Sequence, residues 1–209
     1  MLPWLCTVGA GRIFVVGLTG GIGAGKSTVL ELFEKAGAYC VQADLLARAE
    51  LNEPEVQSRI RVLFGGDLVT DKGVDRQALA RIVFKDPEQL HKLNELIHPG
   101  VRRRLRKIQE TLEPGTVLIY EVPLLFEAGL EHDFDWIVTV TAPAELRRER
   151  VKNRGWSADD WEAREARQLS LREKEKRADS VIENKGNEEE LKLQVDKLYR
   201  EFEERAGSL

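Results

Sequence analysis

A glycine-rich segment near the start of the chain constrains the fold more than any other feature. It runs from Gly20 to Thr28 and reads Gly-Gly-Ile-Gly-Ala-Gly-Lys-Ser-Thr. The preceding stretch, Arg12 to Thr19, is a continuous apolar and β-branched run, typical of a strand buried on both faces of a parallel sheet. The following stretch, Ser27 to Lys35, carries apolar residues at helical spacing. A strand, a turn of the form G-x4-G-K-[ST] and a helix together indicate a P-loop in an α/β fold.

The chemistry of this turn implies a nucleoside triphosphate ligand. Glycines leave room for backbone amides to wrap the phosphates, and the helix that follows points the positive end of its dipole at them. Lys26 is expected to reach the β- and γ-phosphates and to take part in catalysis, and the Ser27 hydroxyl is expected to bind Mg²⁺. The predicted ATP contacts in the loop are Gly21, Ile22, Gly23, Ala24, Gly25, Lys26, Ser27 and Thr28.

Further apolar runs predict a central sheet of five parallel strands. They lie at residues 39–43, 117–122, 136–140 and 180–183, with helical patterns between them. The predicted three-layer fold has a nucleotide-binding core at 12–44, 114–143 and 179–205, a helical insertion at 45–113 and a helical lid at 144–178. Within the insertion, helices are predicted near 53–64, 76–84 and 87–109.

Residues 1–11 lack the basic start of a signal peptide and are interpreted as an N-terminal extension. A last amphipathic helix carries Val195 and Phe202, interpreted as core packing rather than partner binding.

Composition narrows the range of partners. The 209 residues are 42% hydrophobic and 33% charged, with a net charge of -4, which favours neither disorder nor a membrane class and gives no general attraction to nucleic acid. Only two cysteines occur, Cys6 and Cys40, which is too few for a disulfide framework. We expect a cytoplasmic monomer that binds small molecules and neither nucleic acid nor membrane.

The residues after the second predicted strand favour a kinase over other P-loop classes. A regulatory GTPase needs an Asp-x-x-Gly switch motif, which is absent from the sequence. It also needs an Asn-Lys-x-Asp motif that binds guanine, and Asn184-Lys185-Gly186-Asn187 lacks the aspartate of that motif. A motor ATPase usually needs a longer chain. A kinase must orient an acceptor hydroxyl, and Asp44 follows the second strand, where α/β sheets collect ligands. The alternative role for Asp44 is the N-cap of a helix beginning at Leu45.

Several ordered motifs resemble those of the dephospho-CoA kinase family, from Ile13 to about Glu190. In chain order they are Gly17 to Thr28, Ala43-Asp44-Leu45-Leu46-Ala47-Arg48, Asp75-Arg76-x-x-Leu79, Leu93-Asn94-x-x-Ile97-His98-Pro99, Val122-Pro123-Leu124-Leu125-Phe126-Glu127, Arg164-x-x-x-Gln168, Glu173-Lys174 and Ala178 to Gly186. The resemblance implies a P-loop kinase that transfers the γ-phosphate of ATP to the ribose 3'-hydroxyl of dephospho-CoA, with Mg²⁺ as cofactor. Another small-molecule kinase, or a nucleotide-binding module without catalysis, remains an alternative.

The resemblance also implies roles for individual residues. Asp44 would be the catalytic base, and the acceptor contacts would be Asp44, Arg48, Arg76, His98, Pro123 and Leu124. Gln42 stands where many relatives have an aspartate, so a charged role there is in doubt. Glu121 ends the third strand, where a carboxylate can order Mg²⁺ through water or serve as an ordinary strand-end residue. His98 alternatively has a structural hydrogen-bonding role.

An arginine cluster follows the turn at Pro143 in the predicted lid. Arg147, Arg150 and Arg154 have the spacing of one helical face, which suits a lid that closes over phosphates. We expect Arg148 to be catalytic and Arg147 and Asn184 to contact ATP. The alternative is a solvated helix face paired with Glu145 and Glu149. Arg164 and Gln168 are expected to share a face of the next helix.

Overall fold

The computed structural model describes residues 12–208, so the predicted extension at 1–11 lies outside the described residues. The chain divides into two compact units. One unit holds the residues up to Gln42 together with those from Leu112 onward, and the other holds Ala43–Thr111. The separation of a lid at 144–178 from the rest of the first unit stays a prediction.

The first unit is built on five parallel strands, as the sequence predicts. They are β1 (Phe14–Gly20), β2 (Tyr39–Gln42), β5 (Val117–Glu121), β6 (Trp136–Thr141) and β7 (Ser180–Glu183), and the second unit adds β3 (Val69–Thr70) and β4 (Gly73–Val74). The order across the large sheet is β2-β5-β1-β6-β7. β1 therefore lies in the centre, where helices can cover both faces and where the loop after it faces the carboxyl edge.

Nine α-helices complete the described part of the chain. They are α1 (Lys26–Ala36), α2 (Ala43–Leu51), α3 (Pro54–Phe64), α4 (Arg76–Val83), α5 (Pro87–Gln109), α6 (Ala144–Lys152), α7 (Ala158–Glu165), α8 (Leu171–Arg177) and α9 (Glu188–Gly207). Among the helices of residues 12–208, none is long and apolar enough to cross a membrane.

The last helix, α9, closes the main core of the first unit. Its Val195 and Phe202 are fully buried. The Phe202 ring lies 6.1 Å from the ring of Phe33 on α1 and 5.7 Å from that of Phe14 on β1. Aromatic and aliphatic burial of this kind supplies most of the free energy of folding. The core-packing interpretation of this helix is confirmed.

The second unit has its own apolar core and differs from the sequence prediction at two places. Ile60, Leu79 and Ile97 are buried at its centre. The segment around Asp71 separates α3 from α4, as predicted, but it does so as the turn of the antiparallel β3–β4 hairpin, which the sequence did not predict. α2 begins at Ala43, so Asp44 lies in its first turn, and the N-cap interpretation is wrong.

Candidate nucleotide-binding site

The turn after β1 adopts a backbone that only glycine accommodates without strain. Gly23 has φ 75° and Gly25 has φ 94°, both in the left-handed region. A β-carbon at position 23 would lie 2.6 Å from the carbonyl oxygen of Arg147, and one at position 25 would overlap Nδ2 of Asn184. The glycines of the motif are therefore required both by conformation and by close packing against α6 and the residue after β7.

The first turn of α1 presents backbone donors without a side-chain cap. Gly25 is its N-cap, no side chain accepts a hydrogen bond there, and the first turn holds no acidic residue. Ser27 and Thr28 are exposed in the same turn. Backbone amides in the first turn of a helix have no intrahelical acceptor, and together with the helix dipole they make such an end attractive to an anion; a carboxylate there would compete with phosphate.

Lys26 folds back over the loop. Its Nζ donates hydrogen bonds to the carbonyl oxygens of Gly20 (3.0 Å) and Gly21 (3.1 Å). The ammonium is thus held beside the loop amides by neutral acceptors. A phosphate oxygen would be a stronger, charged acceptor for the same donors.

Asn184, predicted as an ATP contact, is a buried link between the loop and the lid helix. Only 5% of the residue is exposed. Its Nδ2 donates to the carbonyl oxygen of Ala24 (3.0 Å), and its Oδ1 accepts from a guanidinium nitrogen of Arg150 (2.9 Å). The same guanidinium donates to the carbonyl oxygens of Gly23 and Ala24, each at 3.3 Å. Asn184 therefore sets the loop conformation.

The four arginines of the predicted lid differ in their surroundings. Arg147 and Arg150 lie against the glycine turn, whereas Arg148 and Arg154 do not donate to it. Arg147 is 7% exposed and donates to the carbonyl of Ile22 at 3.4 Å, so it does not lie on a solvated face. Its guanidinium pairs with Glu165 at 2.6 Å rather than with Glu145 or Glu149. Arg148 is exposed and lies 5.0 Å above the ring of Trp161. Arg154 follows the end of α6, so the predicted single helical face does not extend to it.

A cavity of about 500 Å³ adjoins the loop within the first unit. It is bordered by the loop and α1 through Gly25 and Thr28, by the end of α6, and by the segment between β7 and α9. Three amide side chains, Asn153, Asn184 and Asn187, line it. Its size suits a nucleoside, and amides can hydrogen-bond the edge of a base.

The metal-binding capacity of the described residues is small. No group of three or more His, Cys, Asp or Glu side chains in residues 12–208 could hold a metal ion. Mg²⁺ bound with nucleotides is usually held by phosphates, waters and one or two protein oxygens, so the exposed Ser27 hydroxyl fits this requirement. Glu121 ends β5 and pairs in register with Gln42 on β2 and Leu18 on β1, so it lies at the carboxyl end of a strand next to β1.

The predicted acceptor residues are divided between the units. Asp44 and Arg48 are exposed on α2, Arg76 begins α4, and His98 lies on α5. Partial burial and the charge of Arg102 lower the pKa of His98, which favours its neutral form. Pro123 and Leu124 follow β5 in the first unit, where Leu124 is 45% exposed.

Sequence reasoning missed several residues around the lid segment. Lys174 is fully buried, although lysine is rarely so, and its Nζ pairs with Glu127 at 2.9 Å. Glu165 was not predicted as the partner of Arg147. The motifs that hold Glu127 and Lys174 are visible in the sequence, but local spacing gives no signal that the two residues pair. α7 ends at Glu165, so Arg164 and Gln168 do not share a helical face, and Arg164 instead stacks on Trp156 at 4.1 Å.

Comparison with known proteins identifies consistent relatives. The family model described as dephospho-CoA kinase matches residues 14–190. A dephospho-CoA kinase of Aquifex aeolicus is 41% identical over 189 residues, covering 90% of this chain and 96% of the relative. One of Deinococcus radiodurans is 43% identical over 191 residues, covering 90% and 92%.

Solved structures agree with this result. The Thermus thermophilus protein TT1252 superposes with a TM-score of 0.82 at 39% identity, covering 91% of this chain and 98% of that one. The dephospho-CoA kinase of Campylobacter jejuni superposes with a TM-score of 0.62 at 26% identity, covering 91% and 97%.

Proposed function

Because this chain belongs to the dephospho-CoA kinase family, we propose that it transfers the γ-phosphate of ATP to the ribose 3'-hydroxyl of dephospho-CoA, forming CoA and ADP. The observation that carries the proposal is the uncapped first turn of α1, with Lys26 folded over the glycine turn beside it. This arrangement supplies several donors to a polyphosphate and no competing carboxylate in the turn.

The loop and the lid arginines would together hold the donor. Amides from Gly21 to Thr28 bind the phosphates, and Lys26 exchanges its two carbonyl acceptors for phosphate oxygens. Arg147 already lies against the loop at Ile22, where its charge can stabilise the transferring group. Arg148 would have to leave Trp161 to do the same, so its catalytic role requires a lid movement. The base and ribose of ATP would occupy the cavity lined by Asn153, Asn184 and Asn187.

The residues that the family resemblance assigns to the acceptor have distinct proposed roles. Asp44 accepts the proton of the attacking hydroxyl, or holds that hydroxyl in line with the γ-phosphate. Arg48, Arg76 and His98 offer polar contacts to the nucleotide part of the acceptor, and Pro123 and Leu124 contribute from the loop after β5. These roles rest on the family resemblance of the motifs that contain them.

Mg²⁺ belongs to the proposal as the partner of ATP. Ser27 would hold it directly and Glu121 would hold it through water, and the ion would neutralise charge on the phosphates. We also propose that the protein acts as a cytoplasmic monomer.

A substrate panel tests the proposal directly. The protein is incubated with Mg-ATP and, separately, dephospho-CoA, nucleosides, nucleoside monophosphates or shikimate, and ADP is measured. Dephospho-CoA should be the best acceptor, with CoA as the product. A better acceptor would assign another kinase activity, and ATP binding without any product would assign a nucleotide-binding module.

Two variants separate the roles within the site. Asp44→Asn should lower kcat by about 10²- to 10⁴-fold with the affinity for ATP nearly unchanged, because a base acts mainly in the transition state. Lys26→Ala should weaken both ATP binding and turnover. Normal turnover in Asp44→Asn would remove Asp44 from the mechanism, and full activity in Lys26→Ala would contradict the assignment of the loop.

A further inference from the structure

Lys174 on α8 carries a charge that the proposed chemistry does not use. The residue is 0% exposed. Its Nζ donates to the carbonyl oxygen of Pro123 at 3.0 Å, pairs with Oε1 of Glu127 at 2.9 Å and lies 3.5 Å from Oε1 of Gln168. Burying an ammonium group is costly even when it is paired, and apolar side chains of similar size often stabilise a core as well or better. Stability alone therefore explains this lysine poorly.

The partners of Lys174 belong to segments that surround the loop. The Pro123 carbonyl also accepts from the hydroxyl of Thr19, at 3.2 Å, immediately before the glycine turn. Glu127 accepts from the backbone N–H of Leu169 at 2.8 Å. The carbonyl of Lys174 itself accepts from the buried Thr139 hydroxyl of β6 at 3.2 Å. Lys174 thus connects α8 directly to the loop after β5, and through the shared Pro123 carbonyl to the end of β1.

These contacts fix the orientation of the peptide group between Pro123 and Leu124. Because the Pro123 carbonyl accepts from both Thr19 and Lys174, the peptide between Pro123 and Leu124 is held from two sides. The Leu124 side chain that follows is 45% exposed, whereas those of Leu125 and Phe126 are buried. A rigid carbonyl beneath an exposed apolar side chain is suited to presenting that side chain to a ligand.

We propose that Lys174 is a positioning residue for the acceptor substrate. Its ammonium holds the Pro123 carbonyl and thereby orients the Pro123–Leu124 stretch, which contacts dephospho-CoA in the proposed function on which this inference rests. Lys174 touches neither substrate. Its removal should therefore impair recognition of the acceptor more than recognition of ATP.

The test compares Lys174→Met with Lys176→Met, a matched charge removal on the same helix at an exposed site. Steady-state kinetics are measured with each substrate varied. Lys174→Met should raise KM for dephospho-CoA by about tenfold or more, because a charge-assisted hydrogen bond is lost. KM for ATP should change by less than about twofold. Lys176→Met should match the parent protein in both constants.

A second variant separates positioning from stability. Lys174→Met alone leaves the partly buried Glu127 charged without its ion-pair partner, whereas Lys174→Met with Glu127→Gln removes both charges, so the double variant should regain thermal stability. Its KM for dephospho-CoA should stay raised because Pro123 still lacks its donor. If KM recovers together with stability, or never changes, the positioning role is overturned. If Lys174→Met does not fold, the double variant alone is measured. A raised KM for dephospho-CoA then supports the positioning role, and a KM equal to that of the parent protein overturns it.

The two proposals fail in different ways. A parent protein that forms no CoA refutes the proposed function, and the positioning role falls with it. A parent protein that forms CoA, together with an unchanged KM in the double variant, refutes the role of Lys174 alone.

Discussion

The Gly25→Ala substitution tests how the glycine turn is held. Position 25 has φ 94°, where a β-carbon costs about 1–2 kcal/mol. The added methyl would also overlap Nδ2 of Asn184 and displace that buried side chain. Displacement breaks the neutral bond to Ala24, worth about 0.5–1.5 kcal/mol, and the charged bond from Arg150, worth about 1.5–3 kcal/mol. The expected total loss in free energy of unfolding is about 3–6.5 kcal/mol.

A double-mutant cycle isolates the part that Asn184 contributes. Asn184→Ala alone should cost about 2–4.5 kcal/mol, because it removes the same two hydrogen bonds. With alanine at 184, the overlap is gone, so Gly25→Ala should then cost only the backbone term of about 1–2 kcal/mol. Urea denaturation of the four proteins measures the coupling energy. If the two substitutions prove additive, the argument that Asn184 packs against and fixes the turn is wrong.

Three further predictions concern other parts of the chain. Gly100→Ala on α5 should destabilise the protein, although this change usually stabilises a helix by about 1 kcal/mol, because the methyl would overlap the buried carboxylate of Glu50; urea denaturation gives the sign. The pKa of His98 is lowered, so its contribution to stability is present above the ordinary pKa near 6.5 and lost as pH falls toward the folded value. Titration by NMR should show this pKa rising in Arg102→Gln, and no rise would remove Arg102 as a cause. Burial raises the pKa of Cys40 to about 12, so iodoacetamide at pH 8 should leave the Cys40 peptide unmodified until urea is added, as read by mass spectrometry.

The central sheet was predictable because buried parallel strands carry a strong local pattern. β7 was predicted with the bounds that the structure has, Ser180–Glu183, and α5 likewise, Pro87–Gln109. At α5, Asp86 caps the helix with its carboxylate and a proline occupies the first turn, both of which are visible in the sequence. Pro99 inside this helix does not end it.

Short or long-range features were much harder to predict. The strands of the β3–β4 hairpin have two residues each, which is too short for an alternating pattern. The types of the loop-binding residues could be predicted, but their partners could not. Asn184 bonds Ala24 across 160 positions, and Arg147 pairs with Glu165 rather than with the neighbouring glutamates. Local spacing reports which face a residue occupies, whereas pairing between distant segments depends on tertiary packing.

The bond from Asn184 to Ala24 has a consequence for the order in which the protein matures. The glycine turn is synthesised early, but the side-chain amide that holds it is synthesised 160 residues later, directly after β7, a strand at the edge of the sheet. Domains generally fold as units during synthesis, and long-range contacts form late. A nascent chain that ends before residue 184 would therefore carry the whole motif without a settled nucleotide site. We therefore expect a nascent chain to bind ATP only after β7 has paired with the sheet.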